Sequence, residues 1–250
     1  MMDLNLDGRV AIVTGASRGL GRAMVIALVE QGMQVVAVAR SMDELKQLEL
    51  TAPDHIKAVE CDMMDRDAVV TLPSIAIETF GRLDVVVNNA GIAPAGKFLE
   101  QDQDIWDQVM AVNVTAPAIL SREAAKHMVE RGSGKIINIA STSGILGKAM
   151  LVAYSSSKGA LLQFTKALSA EIAKYGVQVN AIAPGAFETD AQKAVLDSPD
   201  MLKRRLGKIP SRRMGECTEI GPLVCYLASD LSNFATGGVF VLDGGESCKL

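Results

Sequence analysis

The chain has 250 residues, a formal charge of −4, nearly half its residues apolar and few aromatics, enough to bury a full core as one large α/β domain. The acidic balance argues against a general nucleic-acid binder, which would be basic. Apolar runs no longer than a strand leave nothing to span a membrane, and the N-terminus lacks a signal-peptide pattern.

Arg9 to Thr14 is a strand-type apolar run, followed at once by Gly15-Ala-Ser-Arg-Gly19-Leu-Gly21. Helical periodicity then runs from Leu20 to about Gln31, with Gly32 as a stop. Next come strand Met33–Ala39, helix Met42–Leu50, strand Ile56–Cys61, helix Arg66–Phe80 and strand Leu83–Asn88. A long helical stretch, Asp104 to Glu130, precedes strand Lys135–Ala140. Helix Leu151–Tyr175, strand Val177–Ala183, helix Thr218–Ser229 and strand Val239–Leu242 complete the chain.

Strand and helix alternate throughout, and the strands are continuously apolar. That pattern predicts a parallel sheet covered on both faces. Right-handed crossovers make it a single-domain, doubly wound Rossmann-type sheet of about seven strands, with ligands at the carboxyl ends near the switch point. No linker or repeat divides the chain. The exception to the alternation is 185–216, which has no strand; a segment that long in a compact domain is read as a substrate lid.

Gly15, Gly19 and Gly21 fall in a strand-to-helix turn, where backbone N–H groups and the helix dipole favour a phosphate. Their spacing, G-x-x-x-G-x-G, differs from the usual dinucleotide fingerprint, so position carries the reading. At the end of the second strand stands Ala39-Arg40, where an NAD site would place a carboxylate on the ribose 2′-OH. A guanidinium there, with Arg18 nearby, suits a 2′-phosphate and hence NADP(H). The alternative is a pair of solvated arginines.

Tyr154 and Lys158 lie four apart on one helix face. A phenol is a poor acid at neutral pH, and an ammonium one turn away is expected to pull its pKa down. Ser141, closing the run Ile136–Ala140, puts a hydroxyl at a strand end where it can hold a substrate oxygen against the phenol.

With Thr14-Gly-Ala-Ser-Arg-Gly-Leu-Gly21, Asn88-Asn-Ala-Gly91, Asn113, Ser141, Tyr154-xxx-Lys158 and Pro184-Gly185 in order, the whole chain resembles the short-chain dehydrogenase/reductase family. The resemblance implies an Asn113-Ser141-Tyr154-Lys158 tetrad, in which the asparagine holds a water bonded to the lysine. It implies that Asp62 meets the adenine, that Asn89, Ala90 and Gly91 wall the adenosine ribose, and that Thr189 binds the carboxamide. Ser17, Leu20, Met63, Pro184, Gly185 and Phe187 join the cofactor site, while Asn88 braces the strands. Lys158 also binds the nicotinamide ribose. NADPH then delivers hydride to a carbonyl carbon and Tyr154 donates the proton.

Within the family, the pattern is closest to 3-oxoacyl-carrier-protein reductases and to gluconate 5-dehydrogenase-like sugar or polyol dehydrogenases. Gly132 and Tyr175 replace the two arginines with which the former dock their partner, with Arg131 and Lys174 adjacent. The basic lid, with Lys193, Lys203, Arg204, Arg205, Lys208, Arg212 and Arg213, either attracts an anion or is a solvated face. A small carbonyl or alcohol substrate and a homotetramer are expected; a non-catalytic dinucleotide-binding regulator is the different-class alternative. Phe187, Met201 and Met214 are expected under the lid.

Four cysteines without paired spacing and only two histidines predict no zinc or other metal site and fit a reducing, cytoplasmic setting. The final Cys-Lys-Leu loosely resembles a peroxisomal signal.

Overall fold

In the computed structural model, which describes residues 4–248, the alternation becomes one seven-stranded parallel sheet. Its strands are β1 (Val10–Thr14), β2 (Gln34–Ala39), β3 (Ile56–Glu60), β4 (Val85–Asn88), β5 (Gly134–Ile139), β6 (Val177–Pro184) and β7 (Val239–Leu242). They lie in the order β3-β2-β1-β4-β5-β6-β7. β1 therefore neighbours both β2 and β4, in register Ala11 with Val35 on one side and Val85 on the other. Crossovers leave β1 and β4 in opposite directions, which opens a crevice between their carboxyl ends.

Alternate residues of each buried strand serve opposite faces. Ala11, Val13, Val35, Ala37, Val85 and Val87 pack against α1 (Gly19–Glu30), α2 (Met42–Glu49) and α10 (Gly221–Ala228). Val10, Ile12, Val36, Val38 and Val86 pack instead against α3 (Arg66–Phe80) and α5 (Ala116–Arg131). Fully buried strands explain why the sequence shows continuous apolar runs rather than alternation.

The long helical stretch before β5 is not one regular helix. α4 (Gln103–Met110) passes through a π-helical turn, Ala111–Thr115, into α5. Asn113, wholly buried, sits in this turn, and its side chain bonds outside its own helix, as described below. Such bulges are common where a helix carries a functional side chain. Downstream of β5 come α6 (Ser143–Leu146) and α7 (Val152–Ile172), the latter ending in a 3-10 turn to Tyr175.

The segment 185–216 contains α8 (Lys193–Leu196) and α9 (Pro199–Lys208) and no ladder strand. Its two ends are tied by a single bridge between Phe187 and Gly215. Phe187 and Met214 are buried, and Ala186, Ile209, Met214, Leu196, Leu202 and Leu206 form its apolar underside. Met201, expected there, faces solvent instead; α9 turns Leu202 and Leu206, one turn apart, inward in its place.

Among the described residues no helix is long and apolar enough to cross a membrane. Lys249 and Leu250, on which the peroxisomal resemblance rests, lie outside the described residues.

Candidate active site

The crevice is a cleft of about 630 Å³. Gly15, Ser17, Arg18, Gly19, Leu20 and Gly21 line one wall, and Asn89, Ala90 and Gly91 another. Arg40, Asp62 and Met63 close its outer end and Thr189 lies along its lid side. Gln108, Val112, Ile92, Ser41 and Met64 also line it and carry no motif that would have singled them out. Gln108 had a weak signal: it lies just before the turn that holds Asn113.

Backbone packing fixes the turn after β1. Gly15 has φ +66°, and a Cβ there would stand 2.8 Å from the Asn89 amide nitrogen. A Cβ on Gly21 would stand 2.0 Å from the Gly15 carbonyl oxygen. Neither position admits a side chain, so the first turn of α1 presents bare N–H groups to the cleft. The Thr14 hydroxyl, which sequence reading passed over, accepts from Asn89 N and Ala90 N at 3.0 Å each. Asn89 Nδ2 in turn donates to the Thr14 and Gly15 carbonyls at 2.8 and 3.1 Å.

Arg18 and Arg40 are exposed, and neither guanidinium has an ion-pair or hydrogen-bond partner among the described residues. Free guanidinium groups at the outer end and bare amides at the inner turn fit a phosphorylated dinucleotide. Asn88 turns away from the cleft. Its Nδ2 donates to Asn138 Oδ1 at 2.8 Å and to Ser121 Oγ at 3.0 Å, bracing β4 against β5 and α5.

The three groups of the expected chemistry converge beyond the cleft's inner wall. Ser141 is buried and hydrogen-bonds the Tyr154 phenol. Lys158 Nζ lies 5.7 Å from the centre of the Tyr154 ring and would be 3.4 Å from a Cβ on Gly91. Lys158 Nζ and Asn113 Oδ1 thus lie directly behind Gly91, which lines the cleft. Asn113 Oδ1 accepts from Ile92 N at 2.9 Å, while its Nδ2 donates to Ile92 O and to Ser157 Oγ, each at 2.9 Å. Ser157 Oγ passes the chain on to the Tyr154 carbonyl at 2.7 Å.

One expectation needs correction. The Tyr154 pKa is raised, not lowered: burial pushes it up, and the Ser141 hydrogen bond offsets only part of this. Lys158 does not reach the phenol; its ammonium donates to the Ile139 carbonyl at 2.7 Å, and burial brings its own pKa down to about 8. Both amide hydrogens of Asn113 are committed, to Ile92 O and Ser157 Oγ. The Phe187 ring packs on Gly215, where a Cβ would be 2.8 Å away. Pro184 O accepts from Thr142 N at 3.1 Å and Gly185 N donates to Leu242 O at 3.0 Å.

Comparison with known proteins gives concordant likenesses. The model of the short chain dehydrogenase family matches residues 9–200. A 2-dehydro-3-deoxy-D-gluconate 5-dehydrogenase of Pseudoalteromonas atlantica is 38% identical, covering 96% of each chain. The 3-oxoacyl-[acyl-carrier-protein] reductase of Vibrio cholerae is 33% identical over 97% of this chain and 98% of its own. Among solved structures, a gluconate 5-dehydrogenase from Burkholderia cenocepacia in complex with NADP and tartrate superposes with TM-score 0.94 at 31% identity, covering 99% and 98%.

A pH signature follows from Lys158. Its folded pKa of about 8 lies below the usual lysine value, so between about pH 8 and 10.5 the unfolded chain binds more protons than the folded one. Stability attributable to this residue therefore rises with pH through that window. Urea unfolding of the cofactor-free wild type and Lys158→Met, at fixed protein concentration, should show wild type gaining ~1–3 kcal/mol on the variant from pH 8 to 10.5. A difference that stays flat with pH would place the ammonium in water.

Proposed function

The chain belongs to the short-chain dehydrogenase/reductase family, and from that premise we propose an NADP(H)-dependent oxidoreductase that interconverts a carbonyl and a secondary alcohol on a small molecule. One observation supports the reading: Ser141 bears on the Tyr154 phenol, and Lys158 lies directly behind Gly91, which lines the cleft that follows β1. When bound, the nicotinamide supplies the hydride that reaches the carbonyl carbon. The chain's own residues do the rest.

Tyr154 Oη gives its proton to the developing alkoxide, and in the reverse direction takes it back. Ser141 Oγ holds the same oxygen, orienting it before the reaction starts. Lys158, cationic at neutral pH, places its charge behind the phenol, and its position against Gly91 suits the nicotinamide ribose hydroxyls. Asn113 and Ser157 hold Tyr154's turn of helix against Ile92, so the acid keeps its place. Thr189, 3.5 Å from where a Cβ on Gly19 would stand, lays the start of the lid over the phosphate turn.

The carrier-protein alternative draws less support. Gly132 and Tyr175 occupy the expected docking positions; Arg131 ion-pairs with Asp84 at 3.1 Å, and Lys174 lies 5.0 Å over its own neighbour's ring. The regulator alternative would leave a complete tetrad without a use. Four free cysteines suit a reducing cytoplasm.

We also propose a homotetramer with two-fold symmetry. Its support is Phe234, wholly exposed, with Leu231 and Val241 near the β7 edge. The helical stretch around Asn113 offers less, since Val109 and Val112 belong to the chain's own core. Light scattering at micromolar concentration should give four times the monomer mass; a stable monomer contradicts the assembly.

Tyr154→Phe keeps the ring and removes the proton. It should retain fold and NADPH binding and lose about 10²–10⁴-fold in kcat. Retention of more than about a tenth of wild-type turnover in an NADPH-oxidation assay removes Tyr154 from the role.

Cofactor choice is testable separately. The unpartnered Arg40 and Arg18 can each make charged hydrogen bonds to a 2′-phosphate, together good for at least tenfold in favour of NADPH in kcat/KM. Ala39→Asp with Arg40→Ile removes the attraction, installs a repulsion and should reverse the preference. Equal use of NADH by wild type makes both arginines surface charges.

A further inference from the structure

A second cavity, of about 490 Å³, opens between α1 and α8, with the 3-10 turn that begins at Cys217 also lining it. Ala23, Ile26 and Ala27 of α1 and Leu196 of α8 give it an apolar lining. Ile26 is left exposed, while Met24, Val25 and Leu28 of the same helix are buried. Gly19, Thr189 and Asp190 line both this cavity and the dinucleotide cleft. The first residues of the lid are therefore a partition between the two spaces.

The rim is charged and unbalanced. Glu30, Glu188, Asp190 and Asp197 line it, against Arg22 and Lys193. None of these six side chains has an ion-pair or hydrogen-bond partner among the described residues. Other charges of the lid are paired: Arg205 is bidentate on Glu246, and Arg213 on Glu219. Two of the free carboxylates act on one thiol inside the cavity. Cys217 Sγ donates to Glu188 O at 3.2 Å, and its pKa is raised first by burial, then by Asp190 and Glu188.

An anion entering this space would meet a surplus of negative charge. A wholly apolar occupant would strip water from the carboxylates and give them nothing in return. A solvated acidic edge, for its part, needs no apolar cavity beneath it. An ammonium on an apolar body meets both features, burying its body against Ile26 and Leu196 and setting its charge among the carboxylates.

We infer that this cavity is a second small-molecule site, for an organic cation with an apolar body, separate from the dinucleotide cleft. Its occupant sits behind Thr189, which stands 3.5 Å from where a Cβ on Gly19 would be. Filling the cavity holds the start of the lid against the phosphate turn and so favours a bound dinucleotide. Such a linkage is reciprocal: each ligand raises the affinity of the other by the same factor. The cation site stands apart from the oxidoreductase reading; only the linkage needs a dinucleotide in the cleft.

The probe is phenethylammonium, with phenylpropionate and phenethyl alcohol as anionic and neutral controls of like size. Cys217 lines the cavity, whereas Cys248 is exposed and does not. Iodoacetamide labelling of the full-length protein, read at each cysteine by mass spectrometry, therefore reports occupancy. The ammonium should slow labelling of Cys217 saturably, with a midpoint of about 1 mM for so small a ligand, and leave Cys248 unchanged. Neither control should protect. Glu188→Gln with Asp197→Asn, both at exposed positions, should weaken protection about tenfold. Equal protection by all three compounds, protection that ignores the double substitution, or no protection at Cys217 overturns the site. Saturating NADP should lower the midpoint about fivefold, and the probe should lower the dissociation constant of NADP by the same factor. A midpoint unmoved in a protein that binds NADP overturns the linkage. Selective protection of Cys217 in a chain that binds no NADP upholds the cation site and sinks the cofactor reading alone.

Discussion

One hydroxyl holds the working end of this protein together. Thr14 closes β1, and its Oγ accepts the N–H groups of Asn89 and Ala90, which are the first residues past β4. The two strands diverge at this point, and without a tie their loops would have free backbone donors facing water. With it, the turn that carries Gly15 and the wall that carries Gly91 keep a fixed separation. The cleft's width, the bare amides at the start of α1 and the approach of Lys158 to Gly91 all follow from that separation. The constraint is cheap, one side chain, because the sheet has already placed β1 and β4 in register.

Behind the tie runs a polar ladder that a purely apolar core could not supply. Ser121, Asn88, Asn138 and Thr165 are all buried and link α5, β4, β5 and α7 through bonds of 2.8–3.0 Å. Asn88 and Asn138 are register partners, so the ladder forms only when β4 and β5 pair correctly. Buried polar groups are costly when unpaired, which makes this pairing a check on register at the strand ends that bear the site. Asn88 Oδ1 is itself buried with no protein partner, the one unsatisfied side-chain atom of its kind among the described residues.

The fold was legible because fully buried parallel strands leave an unmistakable record: Val10–Val13, Val35–Val38 and Val85–Val87 are apolar on both faces. The dinucleotide wall was legible for a related reason, since Gly15 and Gly21 occupy positions where any Cβ collides with backbone or amide. What escaped the sequence depended on distances across the fold. Tyr154 and Lys158 share a helix face as their spacing requires, yet the lysine finds the Ile139 carbonyl before the phenol. Periodicity tells which face a residue is on, but not which of several acceptors on that face is nearest. The bridge that ties Phe187 to Gly215, far along the chain, carried no local signal either.

The π turn at Ala111–Thr115 carries a consequence for how such a helix can change. A π turn is an α-helix with one residue too many, and each residue of α-helix is worth about 100° of rotation. Removing one residue between Met110 and Ala116 would restore regular hydrogen bonding. It would also swing α4 about a quarter-turn relative to α5, carrying Val109 out of the core and Gln108 off the cleft. The local irregularity is therefore a phase adjustment between two helices that answer to different masters, one packed on the sheet and the other on the cleft. The count of residues joining them is accordingly not free to vary.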